Sequence, residues 1–265
     1  MDTTNFERTL IGFRTHFRVV LALSLRDIKT RVGGSYYGFM FGMSLPLGHI
    51  GIVLLIYTIM GRKAALGTDN VTYLSTAILP FIVWSYSHQK LMQAFYQNKP
   101  LLSFPIVNVM SIVIARSLVE ILESTLIVVI TLTTIRLLGF EIFVYDIRMA
   151  TFSIIIAYAL GISTGYLFGI ISILFPIFTV IGYFIIPLNW MISGVFFMPD
   201  SLPDQIRWVV YWFPIAHIVD MARAATYSSY ISTFYSLDYV FAIVFGNIFI
   251  AILVDKIARE KILSA

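Results

Sequence analysis

The chain has 265 residues, 59 % of them hydrophobic and 12 % charged, where a soluble globular domain carries about 25 % charged. It holds 18 Lys and Arg against 14 Asp and Glu, and no cysteine. A compact soluble domain cannot hide so much apolar surface, so a soluble enzyme, a nucleic-acid binder and a disordered chain are excluded. The missing cysteines also exclude disulfides, thiolate metal sites and cysteine catalysis.

Charge-free runs set the class. No Asp, Glu, Lys or Arg occurs over 32–61 or over 149–199, and one membrane span needs about 20 apolar residues. The patterning predicts an all-α polytopic protein with six spans near 36–60, 71–92, 108–138, 147–172, 176–197 and 236–255. Pro176 divides the longer run into two spans, and Pro187 lies inside the fifth, which membrane helices tolerate. Short loops and the lack of a fixed repeat predict one membrane domain over 1–265.

Residues 6–31 precede the first span and read as an amphipathic helix. Leu10, Phe13, Phe17, Val20, Leu21 and Ile28 fall on one face, as helical periodicity requires. Arg14, Arg18 and Lys29 flank that face, while Arg8 and Arg26 lie opposite. Such a helix suits a membrane interface where arginines meet lipid phosphates; a collar touching a cytoplasmic partner is the alternative. No cleavable signal peptide is expected, because the apolar run that follows is too long for one.

After the second span comes Asn98-Lys-Pro-Leu-Leu-Ser-Phe-Pro-Ile-Val-Asn108, an apolar turn between Pro100 and Pro105. It suits a docking element for another protein, or a plain re-entrant loop. In the third span Arg116, Glu120 and Glu123 sit four and three residues apart. Charges at membrane depth usually face the bundle interior, and Arg116 and Glu120 can pair across one turn. A structural ion pair is the reading preferred to a proton relay through Glu123.

The stretch 199–235 is too polar to span. It predicts two short helices, Asp204–Phe213 and one from Pro214 to about Tyr227, forming a re-entrant hairpin. Tryptophans 190, 208 and 212 suit an outer aromatic belt. His217, Asp220 and Arg223 share one helical face, where a local salt bridge is expected before a metal or catalytic site.

Basic residues orient the chain. With the N-terminus cytoplasmic, the segments 1–35, 90–123 and 254–265 hold two-thirds of the Lys and Arg, which places both termini inside. Chemistry is conspicuously missing. Without a Gly-Lys dipeptide there is no phosphate-binding loop. The one GxSxG string, Gly161-Ile-Ser163-Thr-Gly165, lies in a charge-free span and reads as helix packing rather than a nucleophile elbow. Tyr57, Tyr86, Tyr158, Tyr166 and Tyr183 fall within spans, where phenol rings suit either packing or a sliding sugar.

Taken together, the motifs resemble the membrane subunits of ABC-2 type polysaccharide exporters. Leu25-Arg-Asp-Ile-Lys-Thr-Arg31, Ser35-Tyr-Tyr-Gly38 and Pro46-Leu47 are similar to their start. Asn98-x-x-Leu-Leu-x-x-Pro105 with Ala115-Arg116 and Glu120 resembles their coupling helix and third span. Ser193-Gly-Val-Phe-Phe197, Leu202-Pro203 and Pro214-Ile-x-His217 with Asp220 and Arg223 are similar to their outer region. The capsular polysaccharide permeases are the nearest branch, with the O-antigen branch next. Phe213, Asp220 and a first span lacking tryptophan depart from the family pattern.

The resemblance implies a homodimeric pore for a lipid-linked polysaccharide in a bacterial inner membrane. It implies no cofactor in this chain, with ATP and Mg bound by two copies of a separate ATPase subunit. Periplasmic and outer-membrane export proteins would complete the route. Asn98, Pro100, Leu101, Leu102 and Pro105 would couple to the ATPase. Tyr57, Trp84, Tyr86, Tyr183, Trp190, Phe196 and Phe197 would line the polymer path. Arg14, Arg18, Arg26, Lys29 and Arg31 would meet lipid headgroups, and the hairpin with His217, Asp220 and Arg223 would stand at the exit. The alternatives are an ABC-2 permease for O-antigen, teichoic acid or another lipid-linked glycan, a permease of the same fold for a drug or simple lipid, and, from another class, a polytopic membrane enzyme acting on lipid-linked sugars.

Overall fold

The computed structural model describes residues 3–31, 36–67, 69–104, 106–140 and 142–263. Among these, every regular element is helical. In order they are α1 (Thr3–Arg31), α2 (Tyr36–Ile59), α3 (Asn70–Gln97), a 3-10 turn (Lys99–Ser103), α4 (Val109–Leu137), α5 (Ile147–Leu174) and α6 (Ile177–Ile192). A short 3-10 turn (Pro199–Ser201), α7 (Asp204–Tyr211), α8 (Pro214–Thr226) and α9 (Leu237–Leu263) follow. Boundaries fall where the local chemistry puts them. Asp69, Asn108 and Asp146 cap α3, α4 and α5 with side-chain oxygens that accept backbone N–H bonds, satisfying donors the first turn leaves open. Pro176 separates α5 from α6, and Pro214 opens α8, where its missing N–H costs nothing.

Helix α3 is the hub. It packs against α2, α4, α5, α6 and α8, and Tyr73, Leu74, Ile78, Phe81 and Ile82 on it are fully buried. Its most extensive partner is α5, brought close by a ridge of glycines. A Cβ on Gly161 would stand 2.7 Å from the Trp84 carbonyl oxygen, and one on Gly165 2.6 Å from that of His88. A Cβ on Gly169 would stand 2.4 Å from the Phe95 ring. The small residues of the GxSxG string are therefore packing residues. Buried His88 fastens the hub further: its Nδ1 lies 3.1 Å from the Thr164 hydroxyl on α5, and its Nε2 3.1 Å from the Gly182 carbonyl oxygen on α6.

Three helices among the described residues are long and apolar enough to cross a membrane: Val109–Leu137, Ile147–Leu174 and Leu237–Ile257. Pro46–Ile59 and Ile177–Ile192 are apolar but shorter. Helix α3 has the length, 28 residues, but carries Ser, Thr, His and Gln side chains facing its neighbours. Outward faces are apolar instead, with Leu118, Leu122 and Val129 on α4, Phe184 on α6, and Phe245 and Phe249 on α9 all exposed. In a water-soluble protein such faces would be anomalous.

Candidate functional site

Two polar assemblies stand out, one at each end of α3. The first joins α1, the end of α3, the 3-10 turn and α4. The inward face of α1 is Val20, Leu23, Ser24 and Asp27, of which only Val20 belongs to the apolar row read from the sequence. Phe13, Phe17 and Leu21 of that row are exposed, together with Leu25. The side chains of Arg8, Leu10 and Arg31 lie outside the described residues.

Asp27 and Arg116 pair at 2.8 Å, with Arg116 2 % exposed. The Arg116 guanidinium also donates to the Lys90 carbonyl at 3.1 Å and to Gln97 Oε1 at 3.3 Å. Glu120 lies 3.6 Å away. The expected Arg116–Glu120 pair is thus present but longer, and the tighter partner comes from a different helix. A full charge at this depth needs more than one counter-group, which explains why two acids converge on one arginine. Glu123 is half-buried one turn on.

Arg26 donates to Asn98 Oδ1 and approaches Asp27 at 3.3 Å, while Asn98 donates to the Ala94 carbonyl at 2.8 Å. Arg26 is therefore turned into the protein; Arg14, Arg18 and Lys29 remain exposed. Asn98 and Leu102 are buried, Leu102 in one apolar cluster with Leu91, Phe95 and Ile112. Pro100 is exposed and Leu101 half-buried; Pro105 lies outside the described residues. The outward surface of this turn is apolar, with Tyr96 86 %, Phe104 56 % and Ile106 67 % exposed. Sequence reading missed Asp27 as the partner of Arg116 and missed Tyr96, Phe104 and Ile106. Asp27 stood within the quoted opening motif, three residues from Ser24, the spacing that puts both on one helical face.

The second assembly is the hairpin of α7 and α8. With 8 and 13 residues, neither helix crosses a membrane. His217, Asp220 and Arg223 are fully buried, but the expected salt bridge among them is absent: each reaches a different segment. Arg223 donates to the carbonyls of Gly194, Phe197 and Val195 at 2.5, 2.6 and 2.7 Å and lies over the Tyr73 ring, 4.5 Å from its centroid. Helix α6 stops at Ile192, and Gly194 adopts φ +77°, so this irregular backbone has carbonyls without helical partners. The planar guanidinium fork satisfies these carbonyls.

His217 is held by two backbone bonds. Its Nε2–H donates to the Tyr211 carbonyl at 2.8 Å, and its Nδ1 accepts from the Ser236 N–H at 3.0 Å. Burial lowers its pKa, and the arrangement needs a neutral ring. The Asp220 carboxyl lies 2.7 Å from the Tyr230 hydroxyl and also meets the Ser232 hydroxyl; burial raises its pKa. Among the described residues no group of three His, Cys, Asp or Glu side chains is placed to hold a metal.

The expected path aromatics divide. Trp84 is buried beside Phe81 and His88, and Tyr57 is buried with its hydroxyl on the Lys63 carbonyl at 3.3 Å. Tyr86, Trp190, Phe196 and Phe197 are half-buried and Tyr183 is exposed. Trp190 stacks against Phe196 with centroids 5.8 Å apart. Tyr57 and Phe196 line a groove of about 290 Å³ with Val53, Ile56, Met60 and Arg62.

The sequence pattern of the ABC-2 type transporter matches residues 18–227. The chain belongs to this family. Relatives match it over nearly its whole length. The Escherichia coli polysialic acid transport protein KpsM is 26 % identical over 96 % of this chain and 98 % of its own. The capsule polysaccharide export inner-membrane protein CtrC of Neisseria meningitidis serogroup A is 24 % identical over 84 % of each. BexB of Haemophilus influenzae, of the same description, is 22 % identical over 90 % of this chain and 89 % of its own. The ABC-2 match takes in both polar assemblies, from Asp27 to Arg223.

Proposed function

We propose that this chain is the membrane-spanning subunit of an ATP-driven exporter that moves a lipid-linked capsular polysaccharide across the bacterial inner membrane. The observation that carries the reading is the end-to-end likeness to KpsM, CtrC and BexB. In this reading the chain has six spans, α2, α3, α4, α5, α6 and α9, with both termini cytoplasmic and the α7–α8 hairpin on the far side. Two copies form the pore. ATP and Mg bind to two copies of a separate subunit, consistent with a sequence lacking any phosphate-binding loop. Further export proteins of the periplasm and outer membrane take over the polymer.

The exposed apolar cap of Tyr96, Pro100, Phe104 and Ile106 is the surface that meets the ATPase. Exposed aromatic and aliphatic side chains beside a polar network are typical anchors of a protein interface. The exposed row Phe13, Phe17, Leu21 and Leu25 lies in the membrane interface, with Arg14, Arg18 and Lys29 near lipid phosphates. A membrane enzyme is disfavoured by the hairpin, whose His217 has both ring nitrogens engaged by its own backbone.

Deleting the gene and restoring it on a plasmid tests the polymer assignment: surface capsule disappears and returns. Phe104→Asp with Ile106→Asp tests the coupling surface. Export should fall at least tenfold while the chain still accumulates in the membrane. A capsule unaffected by deletion overturns the first assignment, and full export by the double variant overturns the second.

A further inference from the structure

The hydroxyl of Tyr230 stands between two carboxyl groups. Its oxygen lies 2.7 Å from Asp220 Oδ1 and 2.9 Å from Asp200 Oδ2. A phenol has one hydrogen to donate, and an ionised carboxylate can only accept. If both acids were ionised, one of these two contacts would bring oxygens to bonding distance with no hydrogen between them. The donor count is completed only when one carboxyl carries a proton.

The surroundings decide which one. Asp200 pairs with Arg207 of α7, 2.8 Å from its Oδ1, and accepts from the Thr233 hydroxyl at 2.9 Å and N–H at 3.2 Å. Asp220 is fully buried, and its second oxygen meets the Ser232 hydroxyl. The cation one turn along α8, Arg223, directs its terminal nitrogens at the carbonyls of Gly194, Val195 and Phe197. His217, also on α8, is a neutral ring engaged by Tyr211 and Ser236. Tyr73 of α3 and Tyr227 complete the titratable groups around Arg223, and Tyr211 and Tyr239 of α9 face His217.

We propose that Asp220 is a proton-binding site: its neutral carboxyl donates to Tyr230, Tyr230 donates to Asp200, and the chain ends on the Asp200–Arg207 ion pair. Burial raises the Asp220 pKa, and burial together with the adjacent acids raises that of Tyr230. The sign follows. A folded carboxyl with a raised pKa holds its proton more tightly than the unfolded chain, so its stabilisation is present at low pH. That stabilisation is lost as pH rises through the folded value. Ionisation then sets a second negative charge across the phenol from Asp200, and the one Tyr230 hydrogen can serve only one of the two acids. The hairpin is fastened when Asp220 is protonated and loosened when it is not. This assignment stands apart from the transport reading, since it concerns the chain's own spectrum and stability.

The test uses the full chain in lipid nanodiscs. Asp220→Asn keeps the shape and donor of a protonated carboxyl but cannot ionise. Infrared spectra at neutral pH should show a protonated-carboxyl stretch in the wild type that is lost in Asp220→Asn and retained in Asp200→Asn. Proteolysis of the 227–236 loop should quicken on alkalinisation in the wild type and lose that dependence in Asp220→Asn. Should Asp220→Asn fail to accumulate, Tyr230→Phe removes the acceptor while leaving both acids, and the stretch should move to higher frequency. The proposal is overturned by a band unchanged in Asp220→Asn, by equal alkaline sensitivity in wild type and variant, or by an unmoved band in Tyr230→Phe.

Discussion

At the scale of single residues, buried charges act here by reaching away from their own helix. Arg116 meets Asp27 of α1 at 2.8 Å, closer than it meets Glu120 on its own helix. Asp27→Ala would take from buried Arg116 the closer of the two acids, 2.8 Å against 3.6 Å for Glu120. Removing one partner of a buried pair costs about 3–5 kcal/mol, because the remaining charge keeps its desolvation penalty. Asp27→Ala is expected to lower the heat-denaturation midpoint in detergent, whereas Lys29→Ala, on the exposed side of the same helix, should leave it unchanged. An Asp27→Ala protein as heat-stable as the wild type would mean that the other partners of Arg116 compensate its charge.

The same residues show what was readable in advance. Helical spacing placed Arg116 near Glu120 correctly, because that pair is local and periodicity governs local pairs. Asp27 lies 89 positions from Arg116, and no local rule links them. His217, Asp220 and Arg223 share a face as the spacing required, yet each bonds a separate stretch of chain. Spacing along one helix cannot reveal what approaches it.

At the scale of elements, the reading was better, because helix limits are set by caps, prolines and apolar length. Helices α4, α5, α7 and α8 start within about a residue of their expected positions, each after an Asn, Asp or Pro at the opening. The packed face of α1, with Val20, Leu23, Ser24 and Asp27, was not legible, since apolar residues line both its packed and its exposed sides. Hydropathy cannot separate a face turned to protein from one turned to lipid. The α3–α5 contact depends on absence of side chains. Gly165→Ala would place a Cβ 2.6 Å from the His88 carbonyl oxygen and 3.0 Å from the Leu91 Cβ. Both atoms belong to rigid positions of the hub helix, so the helices must move apart. The expected cost is about 1–3 kcal/mol, read as a fall in the heat-denaturation midpoint. Gly246→Ala on α9, which meets nothing within 4 Å, is the matched control and should be neutral.

At the scale of the whole molecule, the two polar assemblies sit at opposite ends of α3, and the proposed topology puts them on opposite sides of a membrane. The charge distribution argues for the α1 end as cytoplasmic, because Lys and Arg concentrate there and basic loops stay inside. With no native cysteine, a single introduced thiol reports its own side without background. Ile231, 86 % exposed in the loop after α8, and Arg14, exposed on α1, are suitable positions. In intact cells with a permeable outer membrane, a membrane-impermeant maleimide should label Ile231→Cys and spare Arg14→Cys. Opening the inner membrane should then allow both to react. Labelling of Arg14→Cys from outside would invert the topology, and with it the side on which Tyr96, Phe104 and Ile106 could meet an ATPase. The hairpin would then face the cytoplasm and its buried acid would follow cytoplasmic pH. The labelling pattern therefore decides which compartment each assembly serves.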